Sequence, residues 1–185
     1  MDSAELLAAL RALYADRSAE VRERWERSLP FADHVVDRWA RARDLGFGDG
    51  ASIYDSALVL GEVTVGAQTW IGPSTVLDGS GGLAIGRTCS ISAGVQVYSH
   101  DSTRWALSGG RLPYGQAPVR IGDHCYIGPM SIVTMGVTIG NHCLVGANSI
   151  VNKDLPDGSI AFGSTCRIVG RVRVGPDGTV ELEYD

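Results

Sequence analysis

Ile121-Gly122-Asp123-His124-Cys125-Tyr126, Ile127-Gly128-Pro129-Met130-Ser131-Ile132, Ile139-Gly140-Asn141-His142-Cys143-Leu144 and Val145-Gly146-Ala147-Asn148-Ser149-Ile150 are four spellings of one six-residue phrase. An aliphatic residue opens it, glycine follows, and a small residue stands four places on. The phrase extends outward to Ile53, Val59, Val65, Ile71 and Leu77, to Ile85, Ile91 and Val97, and to Val133 and Val151. A helix repeats every 3.6 residues and an exposed strand every two, so neither sustains a period of six over this length. Each hexad is therefore one short strand and one corner of a coiled prism, the pattern of a solenoid.

These hexads resemble those of the hexapeptide-repeat acyltransferases. The resemblance implies a mainly β fold, a left-handed parallel β-helix with three hexads per coil, capped here by N-terminal α-helices. The expected division is a helical cap over residues 1–48, the β-helix over 49–162 with a protruding loop at 98–118, and a tail over 163–185 with a strand near 180–184. The cap follows from Leu6, Leu7, Leu10, Leu13 and Tyr14, from Val21, Trp25 and Leu29, and from Val35, Val36 and Trp39, which are spaced for two or three amphipathic helices. Ser3 and Ser18 are the expected N-caps, Pro30 divides the later helices, and Gly46 with Gly48 ends the last. Each helix needs a surface to cover, and the open first coil offers one.

Composition removes several classes of function. A net charge of −5 argues against nucleic acid as a general partner. No apolar run reaches membrane-spanning length, and Met1 to Leu10 lacks a signal-peptide pattern, so a cytoplasmic protein is expected. Cys89, Cys125 and Cys143 fall four residues after a core aliphatic, in the small core slots, and no CxxC spacing occurs. A zinc site of the γ-carbonic anhydrase kind would need an H-x4-H pair, which the sequence lacks; no metal is expected. His124 and His142, one coil apart at the same corner position, read as solvated, and His34 as lying near the polar side of a helix.

The hexad phase breaks twice. Two extra residues separate Leu77 from Ile85, and 18 beyond the expected six separate Val97 from Ile121. With three hexads per coil both breaks fall in one column, where a regular prism gains a pocket wall. His100 stands where the long loop departs, and imidazole titrates close enough to cellular pH to take a proton from an attacking hydroxyl. Tyr98-Ser99-His100-Asp101-Ser102 resembles the histidine segment of the sugar O-acetyltransferase branch. That implies direct acetyl transfer from acetyl-CoA with His100 as general base. Asp101, adjacent in sequence, and Asp78, stacked beneath with Ser80, are alternative partners for the imidazole or the acceptor, and Gly136 is expected above it. Trp105, with Arg104, Arg111 and Tyr114, decorates the loop as an aromatic face for a sugar or as packing against a neighbouring subunit.

The same resemblance implies an acetyl-CoA site. Tyr126 occupies the place of the aromatic near the pantetheine arm, and Gly146-Ala147-Asn148-Ser149 that of the run offering backbone groups to it. Asn152 replaces the family's threonine, Lys153 falls near the phosphates, and Arg167 keeps the basic residue of a terminal motif that has lost its proline. The expected activity is O-acetylation of a sugar or polysaccharide-precursor hydroxyl; an amine acceptor and a non-catalytic scaffold are the alternatives. A homotrimer with sites between subunits is implied as well.

Overall fold

The computed structural model describes residues 2–185, and most of them form a parallel β-solenoid. Each hexad supplies two or three residues of strand and then bends. The bend is made by a residue in the left-handed region at Gln68, Ser74, Thr88, His124, Met130, His142 and Asn148, with φ between 53° and 60°. That turn sends the small residue after it inward, which is why Thr69, Thr75, Cys89, Cys125, Ser131, Cys143 and Ser149 are buried. The three cysteines donate to carbonyls of the next corner, at Gly122, Gly140 and Pro156. Where glycine follows the aliphatic, as after Val65, Ile71, Ile85, Ile121, Ile127, Ile139 and Val145, it allows close stacking of coils. A Cβ on Gly128 would stand 2.5 Å from the backbone nitrogen of Ala147.

Parallel pairing stacks the aliphatics in three columns. The first runs Ile53, Ile71, Ile91, Ile127, Val145 and Ala161. The second runs Val59, Leu77, Val97, Val133 and Val151, and the third Val65, Ile85, Ile121, Ile139 and Leu155. Together they form one continuous apolar core. Both phase breaks leave the second column and rejoin the third, as the sequence predicts. The long one is an ordered arm. His100–Asp101 pairs antiparallel with Gly115–Gln116, and a short helix, Thr103–Leu107, lies between them.

The N-terminal helices differ from expectation. One helix, α1, runs without a break over Ser3–Trp25, followed by α2 at Phe31–Val35 and α3 at Arg38–Asp44. No glycine or proline interrupts the first 25 residues, so Ser18 lies inside a helix instead of starting one. Asp2, not Ser3, is the N-cap, accepting from Ala4 and Glu5 in a capping box. Helix α3 makes the main seal on the first coil. Ala42 and the following Phe47 are buried in the core, and Arg41 donates to the carbonyls of Tyr54 and Ala57. Helix α1 buries no residue and packs on α2. His34 is buried rather than near a polar side, because α2 is held between α1 and the first coil.

At the other end Arg167–Val174 turns back antiparallel along Ser159–Phe162 and pairs with Val180–Tyr184. This hairpin covers the last strand of the first face. The strand expected near 180–184 is its outer arm.

Candidate active site

The two-residue bulge after Leu77 places Asp78 under the departing arm, with no exposed surface. Its Oδ1 accepts from the Ser80 N–H at 3.0 Å and the Ser80 hydroxyl at 2.5 Å. Its Oδ2 accepts from the Ser99 N–H at 3.1 Å and lies 2.5 Å from His100 Nδ1. Burial disfavours the charge, but the bonds from Ser80, His100 and the two backbone N–H groups outweigh it and hold the carboxyl at about 2, below its ordinary 3.8. An ionised Asp78 can only accept, so His100 carries its proton on Nδ1. The other ring nitrogen, Nε2, has no partner among the described residues. Ser99 locks the same corner through its hydroxyl, which accepts from the Gly81 N–H at 2.8 Å.

His100 lines a cleft of about 420 Å³ with Ser80, Ser102, Trp105, Tyr114 and Gln116. Trp105 and Tyr114 stand together with ring centroids 5.3 Å apart and form its aromatic wall. Ser80 and Trp105 were readable as cleft residues from stacking and loop composition. Tyr114 joins Trp105 as one of the two loop readings has it, whereas Ser102 and Gln116 are not expected there, because the antiparallel pairing that returns Gln116 opposite His100 leaves no trace in the hexad pattern.

The two aspartates fall out differently from the sequence reading. Asp101 does not meet the imidazole. Its carboxylate accepts from the hydroxyl and N–H of Thr103, bonds that lower its pKa and start the short helix. Asp78 is not in reach of an acceptor, since it is sealed beneath His100. Gly136 also lies elsewhere, against Ala117, because the arm's return strand takes the place above the bulge.

The residues expected around acetyl-CoA occupy more than one edge of the prism. Val97, Val133 and Val151 share a column, so Asn152 and Lys153 lie on the edge from which His100 departs, two coils further on. With strands about 4.8 Å apart, the separation along the axis is about 10 Å. Residues 163–166 stack over Ile150, bringing Arg167 to the end of the same face, and the buried Cys166 beside it feels the Lys153 charge. Ala147 is exposed at the neighbouring corner. Tyr126 lies apart, facing out from the first face in a groove shared with His124, His142 and the C-terminal hairpin. His124 and His142 stack there with centroids 4.7 Å apart. Among the described residues, no group of three or more His, Cys, Asp or Glu is arranged to hold a metal, and no helix is long and apolar enough to cross a membrane.

A parallel β-solenoid of six-residue repeats, with a His–Asp pair at the foot of a protruding arm, defines a class of hexapeptide-repeat protein. Residues 118–153 match the family described as the hexapeptide repeat of succinyl-transferase. Nodulation protein L of Rhizobium meliloti (strain 1021) is 39% identical over 114 residues, which are 58% of this chain and 59% of that protein. The chain thus matches somewhat over half the length of this curated relative. AntD, an N-acyltransferase from Bacillus cereus solved with dTDP and 3-hydroxybutyryl-CoA, is 30% identical with a TM-score of 0.62, covering 68% of this chain and 71% of its own. A hexapeptide-repeat acetyltransferase from Vibrio cholerae O1 biovar eltor, solved with acetyl coenzyme A, is 25% identical with a TM-score of 0.52, covering 91% and 90%. The chain belongs to the hexapeptide-repeat acyltransferase family.

Proposed function

We propose that the protein transfers an acetyl group from acetyl-CoA to a hydroxyl of a sugar or polysaccharide precursor, with His100 as general base. The observation that carries this reading is the Asp78–His100 pair at the cleft. Asp78 holds the Nδ1 proton and leaves the Nε2 lone pair for the acceptor, the arrangement a histidine base requires. The acceptor hydroxyl loses its proton to Nε2 as its oxygen attacks the thioester carbonyl. The tetrahedral intermediate then collapses, the C–S bond breaks, and the proton passes from His100 to the departing thiolate. No acyl-enzyme is needed.

A hydroxyl is favoured over an amine by the cleft lining, which contains Ser80, Ser102 and Gln116 and no carboxylate. An amine acceptor arrives largely as an ammonium ion, and such a cation would find no counter-charge there. The aromatic wall of Trp105 and Tyr114 suits the apolar face of a pyranose. Lys153 and Arg167 would take the phosphates of CoA as point charge and fork, and Ala147 and Asn152 would flank the arm. Tyr126 fits this scheme only across a subunit boundary, since in one chain it faces away from His100; a homotrimer with sites between subunits supplies that meeting.

The decisive test is His100→Ala, assayed by release of the CoA thiol with a panel of hexoses. A fall of about 10²- to 10⁴-fold in kcat with the acetyl-CoA KM kept is expected; full retained activity would refute the role. Absence of any melting-temperature shift with millimolar CoA would favour a scaffold.

A further inference from the structure

We propose that the cavity between α1 and the α2–α3 segment is a second binding site, for a phosphate or diphosphate group. The cavity encloses about 370 Å³ and is lined by Arg17, Arg24, Arg27 and Arg38, by two indoles and by His34. It lies at the first coil, beside Tyr54, whereas the His100 cleft opens two coils further along, and it rests on nothing in the transfer reaction.

Of the four guanidiniums only that of Arg17 pairs with a carboxylate among the described residues, Glu20. Arg27 and Arg38 both donate to the hydroxyl oxygen of Tyr54, at 3.3 and 3.1 Å, so two cations converge on one oxygen. Arg38 lies over the ring of Trp39 at 4.2 Å and Arg24 over that of Trp25 at 5.0 Å. Stacking on an aromatic face fixes a guanidinium and leaves its N–H edge free for an anion. The other acids at the cavity are engaged by backbone: Asp37 caps α3 through Ala40 N–H, and Asp33 accepts from Asp55 N–H.

His34 lies in the wall behind these groups. It is 2% exposed, and its Nε2 accepts from the Leu29 N–H at 3.3 Å. A backbone N–H can only donate, so the ring proton is on Nδ1, and that buried donor has no hydrogen-bond partner. A buried donor left unmet is costly, but it is sealed from the cavity, so the arginines carry the recognition. The recognised group is an oxyanion and not a nucleobase. Trp25 and Trp39 stand 6.3 Å apart at 33°, already in mutual contact, so no ring slides between them. Three unpaired guanidiniums match a phosphate dianion better than one carboxylate.

The test is calorimetric titration of the full chain with inorganic pyrophosphate at low salt. Binding with a Kd below about 1 mM is expected, weakened about tenfold or more by Arg27→Gln or Arg38→Gln. Arg24→Gln, which removes no hydrogen bond within the protein, should weaken it as well, and circular dichroism checks that each variant is folded. Inorganic phosphate, glucose 1-phosphate and dTDP separate the sources: tighter binding of the organic esters assigns the site to the phosphate end of a larger molecule, and equal or weaker binding to free phosphate. The proposal is overturned if the native chain gives no binding at millimolar pyrophosphate, or if all three arginine variants bind like it. It also fails if Lys153→Ala or Arg167→Ala abolishes binding instead.

Discussion

Replacing Asp78 with asparagine keeps the side chain's size and removes its charge. The carboxylate accepts four hydrogen bonds, from Ser80 N and Oγ, Ser99 N and His100 Nδ1. An amide offers one oxygen and one NH2. With the oxygen kept on Ser80, the NH2 opposes the Ser99 N–H, donor against donor, and His100 must accept at Nδ1. The ring proton then sits on Nε2 and the basic lone pair is lost from the cleft. We expect kcat to fall by about 10²- to 10⁴-fold, the acetyl-CoA KM to change little, and stability to drop by about 1–3 kcal/mol for the unmet buried donor. The acid limb of stability provides a second readout. A carboxyl held at about 2 instead of 3.8 stabilises the fold above its unfolded value, and that contribution, about 2 kcal/mol, is lost as pH falls from 3.8 through 2. Urea unfolding across that range should show a shallower decline in Asp78→Asn than in the native chain. Asp101→Asn, by contrast, should keep kcat within about threefold, since its carboxylate only starts the short helix. An active Asp78→Asn beside an inactive Asp101→Asn would refute the reasoning.

Ile127→Ala should cost about 2–5 kcal/mol in urea unfolding, because the side chain is fully buried between Ile91 and Val145 and stacked coils cannot close the cavity. Trp105→Ala should raise the acceptor KM about 2- to 10-fold, the worth of one aromatic contact, with the acetyl-CoA KM unchanged. Lys153→Ala should do the reverse, raising the acetyl-CoA KM about tenfold through a lost charged contact. Light scattering should give a mass of three chains, and an active monomer would show that Tyr126 is no part of the site.

The solenoid was legible because one residue type in six carries the core. Ile53, Val97 and Val151 could be placed in their columns before any coordinates, and the two phase breaks located the cleft. The helices were less legible. The apolar spacing in α1 looked like two helices with buried faces, yet Leu6, Leu7 and Leu10 remain about two-fifths exposed, and nothing local says that α3 would make the main seal on the coil. At the site, stacking put Asp78 and Ser80 beneath His100, but sequence adjacency made Asp101 look equivalent. What separates them is the pairing of His100–Asp101 with Gly115–Gln116, which sends consecutive side chains to opposite sides. Tyr126 was assigned by motif, and a motif does not say which edge of a prism it decorates.

The arm at 98–118 begins and ends on corners of an unbroken stack, since Val97 still pairs in register with Val133 and Val119 with Leu83. Its length and wording are therefore decoupled from the scaffold. A lineage can exchange the stretch between Asp101 and Gly115 as a cassette, while the Asp78–His100 couple at its foot stays in place. The same autonomy makes the arm a site for grafting: a foreign sequence of similar span, set between His100–Asp101 and Gly115–Gln116, should leave the solenoid able to fold and move selectivity alone.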